Sequence, residues 1–165
     1  MGQGALLMLL LAQVSSEPYA RTRVNATSCE IPPSLAACVY WDTEQVVFQQ
    51  ARGGGATPEQ HEAVSRAIRT WSDAFLACGQ LQISEAAPTD DRAFGWLEDG
   101  ANVNTILFRE RACNDPGVGG DQCTRNGSCS EAFDCWDHPD NFLALTISTY
   151  GCATGTFLDT DIEVT

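Results

Sequence analysis

Apolar residues recur along this chain in two rhythms. From Gln45 to Gln50, Val46 and Phe48 alternate with polar neighbours around Val47, and the run Gly53-Gly54-Gly55 then interrupts the pattern, which predicts a strand with a marked end. From residue 58 to 77 the period changes to that of a helix, with Val64, Ala67, Ile68, Trp71 and Phe75 on one stripe. Its start has a mechanism. Thr57 is the cap, Pro58 takes the first helical position where no N–H is required, and Gln60 reaches back to complete a capping box. Leu81-Gln82-Ile83 predicts a second strand and Val103 to Phe108 a third, separated by a Pro- and Asp-containing loop. Alternation returns from Phe142 to Tyr150 and from Thr156 to Val164, joined by the turn Gly151 to Gly155, which predicts a hairpin. On its second limb Asp159, Asp161 and Glu163 are spaced by two and share a face, directed at water or at a cation. The expected class is α+β: a mixed, twisted sheet of about five strands with one long amphipathic helix. One helix leaves much of such a sheet uncovered, so a further covering element is expected after Thr165.

Composition narrows the setting. The apolar fraction of 44% and charged fraction of 19% belong to a folding chain. A net charge of −13, with nine Lys and Arg that form no basic stripe, excludes nucleic acid and anionic membranes as natural partners. The run Ala5 to Ala12, followed by Val14-Ser15-Ser16, reads as a signal peptide over 1–16, although its first residues carry no Lys or Arg. Residues 17–36 read as a linker or N-terminal strap, and 37–165 as one domain. Eight cysteines, Cys29, Cys38, Cys78, Cys113, Cys123, Cys129, Cys135 and Cys152, stand behind that export signal. Their even count, with no C-x-x-C pair and only two His, predicts disulfides and an extracytoplasmic location rather than a metal cluster. Four of them fall between Cys113 and Asp140, a Gly- and Asp-rich stretch that reads as a loop held by bridges.

Candidate chemistry is sparse. His61-Glu62-Ala63-Val64-Ser65 imitates half of the zinc-protease signature H-E-x-x-H, but Ser65 replaces the second ligand, and His61 is expected to be a solvent-exposed helix residue. No G-x-S-x-G nucleophile and no phosphate-cradling glycine loop occurs. No catalytic residue is assigned within the chain.

Several segments, taken in order, resemble the N-terminal half of matrixin-like metzincin peptidases of the secreted bacterial branch. They are Cys38-Val39-Tyr40-Trp41, Ala67-Ile68-Arg69-Thr70-Trp71-Ser72, Asn102-Val103-Asn104-Thr105-Ile106, Cys135-Trp136-Asp137-His138, and the pair Ala144 to Tyr150 and Gly155 to Glu163. The resemblance implies a five-stranded sheet with one antiparallel strand. It also implies an active-site helix bearing HExxHxxGxxH, which would follow Thr165. The fourth strand would be the rim on which an extended peptide adds as a strand, near Ser148, Thr149 and Tyr150. Asp159 would match an acidic residue that helps hold a structural cation. Asp161 and Leu145 stand where many matrixins place zinc-binding His, so oxygen-ligated calcium at Asp159 and Asp161 is the alternative to a structural zinc.

The function so implied is the front portion of a secreted, monomeric zinc endopeptidase acting on proteins or peptides, with the zinc ligands outside this chain and no activity expected of it alone. The alternative is a secreted, disulfide-rich, non-catalytic binding or inhibitory module.

Overall fold

The computed structural model describes residues 22–78, 81–98, 102–115 and 134–165. The expected signal peptide, the start of the strap, the centre of the cysteine-rich loop, Cys123, Cys129 and the side chain of Cys78 lie outside the described residues.

The architecture is α+β, with a mixed sheet of five strands and one helix. Strands β1 (Gln45–Gln50), β2 (Gln82–Glu85), β3 (Asn104–Phe108), β4 (Ala144–Tyr150) and β5 (Phe157–Val164) lie in the order β2-β1-β3-β5-β4. All neighbours run parallel except β4, which pairs antiparallel with β5 and forms an edge. The crossover between β1 and β2 is helix α1 (Pro58–Cys78), as a parallel pair requires a long connection. Its capping box is formed as the sequence predicts: the Gln60 backbone N–H donates to Thr57 Oγ1 at 3.3 Å, and the Thr57 N–H donates to Gln60 Oε1 at 2.7 Å. The turn leading to it needs glycine at Gly54, whose φ is +73°, because a Cβ there would lie 1.8 Å from the Phe108 carbonyl oxygen.

The two faces of the sheet are covered differently. On the helix side, Phe48, Ile106, Ile162 and Val164 face Ile68 and Phe75 across an apolar groove of about 460 Å³. Ile68 is the one buried side chain described on α1, and Trp71 at the groove margin is 60% exposed. This loose cover follows from having a single helix over five strands. The opposite face is covered by loop rather than helix. Phe94, Leu107 and Ala51 form its small apolar core, and the buried carboxylates of β5 lie on the same side.

The N-terminal strap is fastened at both ends. Arg23 and Cys38 form an antiparallel bridge, Tyr40 pairs with Thr156, and Cys29 is bonded to Cys152 in the hairpin turn. Cys113 is bonded to Cys135, closing the base of the cysteine-rich loop. Cys38 is a free thiol, which corrects the expectation that it belongs to a disulfide. Its backbone is committed to strand pairing, and a half-buried thiol behaves as a small hydrophobe without a bridge.

Candidate functional site

The side of β5 away from the helix concentrates the charge chemistry. Asp159, Asp161 and Glu163 do share a face, but all three are buried, at 2%, 2% and 0% exposure, which overturns the water-facing one of its two expected alternatives. What covers them are segments whose contribution alternation in β5 cannot report: the loop around Gly95 and the stretch from Asp134 to His138.

Asp161 acts as an acceptor for backbone groups. Its Oδ1 accepts the Thr105 N–H and its Oδ2 the Gly95 N–H, each at 2.6 Å, so it ties the loop above the sheet to the start of β3. A side-chain hydrogen bond joins it to Asp159, whose Oδ1 is buried without a partner. Burial pushes the Asp161 carboxyl up to about 6, against the opposing pull of those two N–H donors and helped by the neighbouring Asp159 charge. Asp159 is raised by burial as well. The two residues expected to hold a structural cation are therefore adjacent, and both oxygens of Asp161 are already engaged with the chain's own backbone.

Glu163 belongs to a second cluster. Arg109, which follows β3, is buried and donates from Nε to Glu163 Oε1 at 2.5 Å. Its Nη1 pairs with Asp134, as does Arg92, whose Nη2 donates to Asp134 Oδ1 at 2.6 Å. Burial raises the Asp134 pKa, but the Arg92 and Arg109 guanidinium groups outweigh it, so the carboxyl sits below its usual range. Burial holds Glu163 above the usual range despite Arg109 and His138. His138 Nε2 lies 3.2 Å from Glu163 Oε2 and 3.2 Å from Asp137 Oδ1. Its ring meets that of Trp136 edge-on at 4.8 Å, and Trp136 is itself fixed by a bridge to Ala112 and by the neighbouring disulfide. Sequence reasoning quoted Cys135-Trp136-Asp137-His138 without assigning it a site, and passed over Arg109. The signal for Arg109 was an arginine closing an apolar strand two residues beyond Leu107.

His61 is the other correction. It is half-buried, not solvent-exposed: Nδ1 is 2.7 Å from Oε1 of the buried Gln50, and the ring meets Phe108 edge-on. Because that oxygen only accepts, Nδ1 carries the proton. The Gln50 amide nitrogen donates onward to Glu85 Oε1 at 2.6 Å. Glu62 points instead to Arg69 and Arg66 at the exposed surface. With Ser65 one turn along, these residues do not fit a hydrolytic zinc site.

Ser148, Thr149 and Tyr150 end β4 on the open edge of the sheet. Ser148 Oγ accepts from the Thr160 hydroxyl at 3.0 Å, and the Tyr150 hydroxyl accepts the Asn25 backbone N–H at 2.8 Å. Both side chains thus serve the chain's own fold, and among the described residues no strand pairs with the outer side of β4. No helix among the described residues is long and apolar enough to cross a membrane.

Comparison with known proteins adds no relative: no family model, no curated protein and no solved structure matches this chain.

Proposed function

We propose that this chain is the N-terminal portion of a secreted, matrixin-like zinc endopeptidase whose catalytic zinc is held by residues beyond Thr165. The observation that carries the reading is the position of β4, the single antiparallel strand, at the edge of an otherwise parallel sheet. An unpaired edge offers a row of backbone N–H and C=O groups, and an extended peptide adds to it as a further strand. Side chains of Ser148 and Tyr150 turn to internal partners, so affinity would come from the backbone, as a protease of broad sequence tolerance requires. The half-covered groove between α1 and the sheet supports the same reading, because a further helix packed there would bury it and would be placed beneath the substrate edge. Two disulfides support an oxidising, extracytoplasmic setting.

The test is a chain prolonged past Thr165 through the next helix of its coding sequence. It should cleave an unfolded protein, lose that activity to a chelator and regain it with zinc, while residues 1–165 cleave nothing. Hydrolysis by residues 1–165 alone, or a downstream sequence without HExxHxxGxxH, would refute the proposal.

A further inference from the structure

We propose that Asp137, His138 and Glu163 form a site for one divalent zinc ion that clamps the Asp134–His138 segment onto β5. This site is separate from the Asp159 and Asp161 pair and from any catalytic zinc of the proposed parent. Three ligand atoms from those side chains lie within 4.8 Å of one another. Two of the three separations, from His138 Nε2 to Asp137 Oδ1 and to Glu163 Oε2, are 3.2 Å. Zinc bonds of about 2.0–2.1 Å in a tetrahedron place neighbouring ligands about 3.3 Å apart, so the imidazole already stands at the required distance from both carboxylates. The remaining carboxylate pair has to close from at most 4.8 Å.

Ion pairs fix the surroundings of the three ligands: Arg109 pairs with both Asp134 and Glu163, and Arg92 pairs with Asp134. Arg109 engages Glu163 through Oε1 and leaves Oε2 for the metal, the arrangement by which an outer partner orients a ligating carboxylate. The Trp136 ring sets the orientation of the imidazole, and the Cys113–Cys135 disulfide fixes the start of the ligand segment. A cavity of about 90 Å³ beside the ligands, bounded by Asn114, Trp136 and Asp140, has room for the water that would complete four-coordination. One imidazole and two carboxylates form a nitrogen and oxygen set that suits zinc better than calcium, which takes six to eight oxygens.

The oxidised 165-residue chain, stripped with a chelator and then dialysed against zinc at neutral pH, should retain one ion per chain by elemental analysis. Cobalt in its place should give the intense visible absorption of a four-coordinate site. His138→Ala should weaken binding by at least about 100-fold, the upper end of what loss of an outer-shell partner alone costs. Asp137→Asn should weaken it too, and Asp159→Asn should not. No stoichiometric zinc, a six-coordinate cobalt spectrum, or a folded His138→Ala chain that binds as tightly as the parent would each overturn the proposal. The cobalt spectrum needs no variant, so a misfolded substitution does not block the test. None of these readouts depends on proteolysis, so the endopeptidase reading stands or falls separately.

Discussion

Stability should decrease as pH rises from about 4 to 7, the reverse of the usual acid limb, because of Asp161. Its folded pKa is about 6 against an ordinary 3.8. Between those values the native chain binds a proton that the unfolded chain has lost, so the stabilisation is complete below 3.8 and is lost as pH rises through 6. At roughly 1.4 kcal/mol per pH unit the displacement corresponds to about 3 kcal/mol. Asp159 and Glu163 are raised by burial and act in the same direction. Asp134 is lowered, so its contribution is present above its ordinary 3.8 and is lost only as pH falls below that. Urea unfolding of the oxidised chain, followed by tryptophan fluorescence at pH 4.5 and 7 with chelator present, reads the difference. Asp161→Asn should flatten the slope. It should also lower stability at pH 4.5 by about 1–3 kcal/mol, because an amide can accept only one of the two N–H groups that the carboxyl now satisfies. A wild-type stability that is flat or rising over this interval, or a variant with an unchanged slope, would show that the carboxyl is not desolvated as described.

Two further outcomes are expected. His61→Ala should destabilise the chain by about 1–3 kcal/mol in urea unfolding, since it removes a partner from the buried Gln50 amide, and should leave bound zinc unchanged by elemental analysis. Cys38→Ser should remove one thiol titratable after denaturation without reductant, with a melting temperature close to that of the parent.

The local chemistry of α1 was legible in advance because it is local: Thr57, Pro58 and Gln60 specify the helix start through contacts three residues apart, and the stripe from Val64 to Phe75 specifies which side packs. The strands were placed within two or three residues for the same reason. What covers a strand is not local. Alternation put Asp159, Asp161 and Glu163 on one face correctly, yet nothing within β5 reports that Gly95, some 66 positions earlier, donates its N–H to Asp161, or that Arg109 arrives from β3 to meet Glu163. His61 was misread similarly. Its own helix turn looks polar and exposed, and its burial comes from Gln50, the last residue of β1. The cluster of Asp137, His138 and Glu163 was out of reach because Asp137 and Glu163 become neighbours only through the register of β5 and the bridge between Ala112 and Trp136.

The bond between Cys29 and Cys152 spans 123 positions, and that separation sets an order of events as the chain is made. Cys29 is synthesised long before its partner, while Cys38 follows it by nine positions and is unbridged in the finished fold. For most of synthesis the early thiol therefore has a wrong neighbour within easy reach and its proper one still unmade. A short loop closes at lower entropic cost than a long one. Maturation should thus depend on a thiol-exchange catalyst that reopens a 29–38 bridge once the hairpin arrives, and yield in an oxidising compartment should track the supply of that isomerase.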